Sequence, residues 1–184
     1  MKLLVFSDSH GRLEPIRSVI RMHRDTADAV LHLGDGAAEV LTLRAAFPDI
    51  PFYAVLGNCD SFSYTAYDIR QDALLTFSGK TLYLCHGDRF GVGGGHGALA
   101  AYAKAKGADI ALFGHTHVVC EEYLPANDTQ DDKPLWIFSP GSISLPRDRT
   151  EPSFGILDIS EQGVLFSAGR YREANRRNTG KEND

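Results

Sequence analysis

Cysteine is too scarce in this chain to staple a fold. The three present, Cys59, Cys85 and Cys120, are an odd number in unrelated settings, so no disulfide framework is expected. Long apolar runs are missing as well. Nowhere do about 20 successive apolar residues occur, which argues against a membrane-spanning helix. The apolar stretch after Met1-Lys2 is too short for a signal-peptide core before it meets Asp8. A basic stripe is also lacking: 19 Lys and Arg stand against 24 Asp and Glu, for a net charge of −5. That balance offers no surface able to displace counterions along a long nucleic-acid track. A soluble, cytoplasmic protein without membrane or long nucleic-acid partners is therefore expected. At 184 residues the chain can form one domain with a sizeable core.

What is present is a series of six short polar clusters. They are Asp8-Ser9-His10, Gly34-Asp35, Gly57-Asn58-Cys59-Asp60, His86-Gly87-Asp88, Gly114-His115-Thr116-His117 and Ser139-Pro140-Gly141-Ser142. Each follows a short run of β-branched or large apolar residues, in turn LLVF, AVLHL, FYAVL, TLYL, DIALF and LWIF. Such runs predict buried strands. Ligand-binding groups in open α/β sheets collect beyond the carboxyl ends of strands, so one sheet edge is expected to gather the clusters.

Singly, each cluster has an ordinary reading. Asp-Ser-His suits a helix N-cap, and Gly-Asp and Gly-Asn suit turns. Together they supply seven donors: Asp8, His10, Asp35, Asn58, His86, His115 and His117. Seven exceed one tetrahedral metal, and carboxylate, imidazole and amide oxygen together suit first-row divalent ions. Two ions sharing one carboxylate fit the count. Asp35, mid-series, can bridge ions about 3.5 to 4 Å apart, the spacing of two-metal hydrolases acting at phosphorus.

The motifs DSH, GD, GNCD, HGD and GHTH, in this order, resemble the signature of the calcineurin-like metallophosphoesterases. The local sequences GNCDS, HGDRFG, LFGHTH and PGSIS are similar to the YfcE-type phosphodiesterase branch of that family. The resemblance runs from about Lys2 to about Ser160. It implies an α/β fold, a β-sandwich flanked by helices in four layers (α/β/β/α). It also implies that Asp8, His10, Asp35 and His117 hold one ion while Asp35, Asn58, His86 and His115 hold the other, with a bridging hydroxide attacking phosphorus in line. Asp35, Asn58 and His86 are expected to be catalytic. The cofactor expected is two divalent ions per chain, manganese foremost, with iron, cobalt, nickel and zinc open.

One position departs from the wider family: Cys59 stands where many relatives carry a histidine after the Gly-Asn. A thiol is a poor substitute for imidazolium as a proton donor, which favours phosphodiesters with good leaving groups. Cys59 is also open to reading as a nucleophile, a metal ligand or a small filler at the rim. Three further residues are candidates for substrate contact. His96 lies in the glycine-rich stretch Gly91 to Gly97 ahead of a helical run, Ala98 to Lys106, and that stretch reads either as a phosphate-approaching loop or as a mobile connector. Arg12 and Arg147 are the candidate cations. His32 falls in a strand, buried or behind the ligands, and His23 ends an amphipathic helix that starts near Leu13.

Three hairpins are expected: Asp72 to Phe77 with Thr81 to Leu84, Val118 to Leu124 with Leu135 to Ser139, and Phe154 to Ile159 with Val164 to Ala168. One domain over 1–169 is expected, followed by a solvated tail at 170–184. The reading is a dinuclear-metal phosphodiesterase for small diesters. A phosphomonoesterase or protein phosphatase remains an alternative, as does a non-catalytic scaffold like the retromer subunit of this branch, and a homo-oligomer is left open.

Overall fold

The computed structural model describes residues 1–126, 133–160 and 162–173. Within them run β1 (Lys2–Phe6), α1 (Leu13–His23), β2 (Ala29–His32), α2 (Ala37–Ala46), β3 (Phe52–Ala54), β4 (Asp72–Phe77) and β5 (Lys80–Cys85). There follow α3 (Gly97–Ala105), β6 (Ile110–Leu112), β7 (Val119–Leu124), β8 (Leu135–Pro140), β9 (Ser153–Ser160) and β10 (Gly163–Arg170). The strands form two five-stranded sheets, ordered β10-β9-β1-β2-β3 and β4-β5-β6-β8-β7. In each, three strands run parallel, β1-β2-β3 in one and β5-β6-β8 in the other, with antiparallel partners beside them.

Period-two alternation explains the layering. Leu3 and Val5 of β1 point inward with Leu31, Leu82, Leu84, Ile110, Leu112 and Phe138, forming the core between the sheets. Leu4 and Phe6 point the other way, onto Ile16, Val19 and Ile20 of α1 and Leu43 of α2. In the second sheet Tyr83 and Cys85 face outward against Leu99, Ala100 and Ala103 of α3. Strands covered on both faces must be apolar throughout, so they read as unbroken apolar runs. Each fully buried leucine contributes about 1.5 to 3 kcal/mol. The four α/β/β/α layers agree with the fold that the family resemblance implied.

The expectation of one gathering edge is corrected. After β3 the chain makes an isolated parallel bridge, Val55 to Arg70, and then starts a new sheet in which β4 pairs with β5. Apolar runs covered on both faces need a layer on each side, and a second sheet supplies one of them. The three hairpins form within a residue or two of their expected bounds. In the first, Ser78 (φ 47°) and Gly79 (φ 76°) form the connection, as a turn matched to strand twist requires positive φ at both places. In the second, 127–132 of the connecting loop lie outside the described residues.

A short 3₁₀ turn, Asp88–Phe90, leads into the glycine-rich segment, which contains a second, Val92–Gly94, before α3. Arg170, placed in the tail by sequence, ends β10. Tyr171 packs on the cluster outside the first sheet, and Arg172 pairs with Glu151 at 2.7 Å. The remaining tail, 174–184, lies outside the described residues. No helix among the described residues is long and apolar enough to cross a membrane.

Candidate metal centre

The parallel strands of both sheets end on the same side, and their following loops converge. Asp8 and His10 follow β1, Asp35 follows β2 and Asn58 follows β3. From the other sheet come His86 after β5 and His115 and His117 after β6. Backbone bonds lace these loops together: Asp8 N–H donates to Gly34 O at 3.0 Å, His10 N–H to Asp35 O at 3.0 Å, and Gly114 N–H to His86 O at 2.9 Å. The His115 N–H crosses between sheets to Asp8 Oδ2 at 3.1 Å.

The backbone here is strained in a specific way. Eight non-glycine residues have positive φ among the described residues, and five of them are Asp8, His10, Asp35, His115 and His117. Such conformations cost of order 1 to 3 kcal/mol each and persist where the surroundings over-determine them, typically at functional sites.

All seven donors expected from the sequence meet in one place. His10 Nε2 lies 3.3 Å from His117 Nε2, which in turn is 3.1 Å from Asp8 Oδ1. Asp35 Oδ2 lies 3.8 Å from His10 Nε2 and 3.6 Å from His86 Nε2. Asn58 Oδ1 is 3.1 Å from His86 Nε2 and 3.0 Å from His115 Nδ1. Two triads, Asp8-His10-His117 and Asp8-Asp35-His86, place one potential ligand atom each within 4.8 Å of the others, as does His10-Asp35-Cys59.

These residues fit a cation on their own chemistry. His86 Nδ1 sits 2.8 Å from Leu33 O, and His117 Nδ1 sits 2.6 Å from Leu145 O. A carbonyl only accepts, so each Nδ1 carries a proton, and in the singly protonated ring the Nε2 lone pair turns inward. Asp8 Oδ1 is buried and accepts no hydrogen bond in that state. A lone pair facing a carboxylate oxygen at 3.1 Å is relieved by a proton or by a metal ion. The proton alternative shows in the titrations. The hydrogen bond to Asp8 raises His117 above the usual imidazole range, against burial. Burial pushes Asp8 upward, but His117, the charge of His86 and the Ser7 hydroxyl outweigh it and hold the carboxyl low. Burial, then the neighbouring His86, lowers His115.

Several supporting residues escaped the sequence reading. The Asp60 carboxylate accepts the N–H groups of Asp35 (2.8 Å), Ala37 (2.9 Å) and Gly57 (2.9 Å), tying the β2 and β3 loops to the start of α2. Glu39 Oε1 accepts from Ser9 Oγ at 2.8 Å and Gly11 N–H at 2.6 Å. The hydroxyls of Ser142 and Ser144 donate to Asp8 O at 2.9 and 2.7 Å, so the sixth cluster fixes a ligand loop. A Cβ at Gly57 would overlap the Asp35 carboxylate, which is why that loop needs glycine. The hints in sequence were Asp60's place in the GNCD motif and the place of Ser142 and Ser144 in PGSIS. His32 is buried behind the centre, its Nε2 3.2 Å from Ser9 Oγ.

The candidate substrate contacts fall in three different places. Cys59 sits at the rim, exposed, with its N–H donating to Asp35 Oδ1 at 2.8 Å. Arg12 is exposed at the start of α1 and borders a groove with Glu151 and Arg172, away from the seven donors. His96 turns toward β7, its Nδ1 2.6 Å from Glu122 Oε2. Arg147 borders a cleft together with His115.

Two sheets deliver carboxylates, imidazoles and an amide to one point, on strained loops, and so build a candidate metal centre. The chain belongs to the calcineurin-like phosphoesterase superfamily, whose domain profile matches residues 1–162. It is 33% identical over 166 residues to the probable metallophosphoesterase YsnB of Bacillus subtilis, covering 89% of this chain and 88% of that protein. It is 30% identical over 187 residues to the phosphodiesterase YfcE of Escherichia coli K12, covering 90% and 91%. Among solved structures, a conserved Streptococcus pneumoniae protein described as a predicted phosphoesterase superposes with TM-score 0.73 at 23% identity, covering 92% and 88%. Vps29 of Entamoeba histolytica, solved with zinc, gives 0.65 at 21%, covering 94% and 100%. These two structural likenesses concern the fold. The family implies divalent metal ions, and the triads above are candidate holders for them.

Proposed function

We propose that this protein is a two-metal phosphodiesterase acting on small phosphodiesters. The observation that carries this is Asp35 Oδ2, which faces the Nε2 atoms of both His10 and His86 at 3.8 and 3.6 Å while the remaining donors divide to either side of it. Asp8, His10, Asp35 and His117 would hold one ion, and Asp35, Asn58, His86 and His115 the other. The mixed oxygen and nitrogen set suits manganese and its first-row neighbours. When bound, such a pair supplies Lewis acidity at phosphorus and water of lowered pKa for in-line displacement.

The chain's own residues supply orientation. Leu33 O and Leu145 O fix two imidazole tautomers, and the Cys59 N–H occupies Asp35 Oδ1 so that Oδ2 alone faces both histidines. Cationic help around a phosphate is sparse. Arg147 is near enough for its charge to act on His115 and His117, and Arg89 on the other side is tied to Gln71 and Asp72. A singly charged diester needs fewer such partners than a dianionic monoester. The identity with YfcE supports the diester reading.

Diesters and monoesters with matched leaving groups, assayed after metal depletion and restoration, test the proposal. Faster, metal-dependent turnover of diesters is expected. Equal efficiency on both would remove the diester preference, and metal binding without any turnover would favour a scaffold role. Asn58 offers a second check, because it is exposed and its Oδ1 lies between two imidazoles. Asn58→Ala should cut turnover by at least about 10-fold, the lower end of what losing even an outer partner costs a metal site. An exposed substitution of this kind moves stability by about 0.5 kcal/mol or less. A lower melting temperature with intact metal content and rate would reduce Asn58 to a turn residue.

A further inference from the structure

Three of the clefts that share a wall with the seven donors differ in what they can hold. The one beside Asn58, His86 and Phe90 has a volume of about 120 Å³, too little for an organic group of any size. The one beside His10 holds about 340 Å³ and is walled by the carboxylates of Asp35, Glu39 and Asp60, so it repels an anion. The third, beside His115, is about 630 Å³ and is lined by Val92, Phe113, Val119, His96 and Arg147. That volume lies within the roughly 300 to 1,000 Å³ typical of small-molecule sites.

We propose that this third cleft is the subsite for one ester substituent of the substrate, and that it takes a flat aromatic or heteroaromatic group up to nucleoside size. The inference rests on the phosphodiesterase reading of the metal centre and adds the class of substituent. The wall is rigid where a ring would lie. His96 is held at one edge by Glu122 at 2.6 Å and leans on Phe113 with ring centroids 5.0 Å apart, so its position is set from two sides. Cys120 Sγ sits 4.0 Å from His96 Nε2, on the same wall. Phe113 is fully buried behind it, so the His96 imidazole is the ring face that the wall offers, and a braced ring of this kind favours another flat ring through offset or tilted stacking.

Arg147 stands between the cleft and the centre. Its backbone N–H donates to His117 O at 3.2 Å, and it lines the cleft together with His115. A phosphoryl oxygen can meet that guanidinium at the moment the substituent enters the cleft. Phosphate recognition and substituent recognition are thereby joined at one residue, while the glycine-rich turn at Val92 and Gly93 closes the far side.

Binding of reaction products by metal-loaded protein tests the subsite. Phenyl phosphate and thymidine 5′-phosphate should bind at least about 10-fold more tightly than methyl phosphate, as stacking plus apolar burial predicts. His96→Ala removes the stacking wall. Gly93→Trp fills the cleft from a position where an added Cβ meets nothing within 4 Å. Each should bring the aromatic-to-methyl ratio within about twofold of unity, on the same stacking argument. A wild-type ratio near one, or a ratio unchanged in both variants, would overturn the subsite. Hydrolysis of bis(p-nitrophenyl) phosphate reads the metal chemistry separately. Turnover with a ratio of one removes the subsite alone, and a high ratio without turnover leaves the subsite standing while the phosphodiesterase reading fails.

Discussion

Reconstituted with manganese, the protein should carry about two ions per chain, and Asp35→Asn should release both together and abolish hydrolysis. The reason is the position of one atom. Asp35 Oδ2 faces imidazole nitrogens on both sides of the centre, whereas Oδ1 is occupied by the Cys59 N–H. Replacing the carboxylate with an amide of equal size keeps the packing and removes the charge that two cations would share. His117, by contrast, contacts only the Asp8 and His10 side, so His117→Ala should mainly weaken one ion. The loss of turnover in Asp35→Asn should be at least about 10²-fold, comparable to removing a principal electrostatic contact from a transition state.

Stability separates this outcome from misfolding. Metal-free Asp35→Asn should melt no lower than metal-free wild type, since a buried carboxylate next to Asp8 is a liability without a cation. Added metal should raise the melting temperature of wild type far more than that of the variant, because an ion that binds only the folded state stabilises it by mass action. Metal analysis, thermal melts and rates on the same samples provide the comparison. One ion per chain with full activity would sink the dinuclear arrangement.

The donors were legible in sequence because of how buried parallel strands are written. A strand covered on both faces is apolar at every position, so its end is marked by an abrupt polar cluster, and Asp8, Asp35, Asn58, His86 and His115 all stand a few residues past such ends. The division into two sheets was not legible from the residues alone, since LLVF and TLYL give no sign of which sheet they join. The supporting residues were hidden for a different reason. Asp60, Glu39, Ser142 and Ser144 act on backbone groups between 3 and 136 residues away, and a contact of that kind leaves no periodic trace. His96 drew notice for its glycine-rich setting. The structure instead turns it toward Glu122 and Phe113, where its part is in the cleft wall.

Introducing Cys59→His should raise activity selectively toward phosphodiesters with poor leaving groups. Asp35, hydrogen-bonded to the Cys59 thiol, does most to push its pKa up to about 11, followed by burial and the nearby carboxylates. Without bound ions the thiol therefore stays protonated near neutral pH, which weighs against the nucleophile reading and the thiolate it needs. A protonated thiol is still a weak donor to a departing alkoxide. Aryl leaving groups depart without such help, so Cys59 costs little for them, and the two ions bear the demand. A histidine at the same rim position would stand near Asp60, a carboxylate that favours the imidazolium form. General acid catalysis of that kind is typically worth 10² to 10⁴-fold, and this is the gain expected for alkyl diesters if the imidazole reaches the leaving oxygen. Across a series of substituted phenyl esters, the variant should show a shallower dependence of rate on leaving-group pKa than wild type, converging on it for the most acidic phenols. Parallel dependences would reject a leaving-group role for position 59 and leave Cys59 as a rim residue whose backbone N–H, holding Asp35 Oδ1, is its whole contribution.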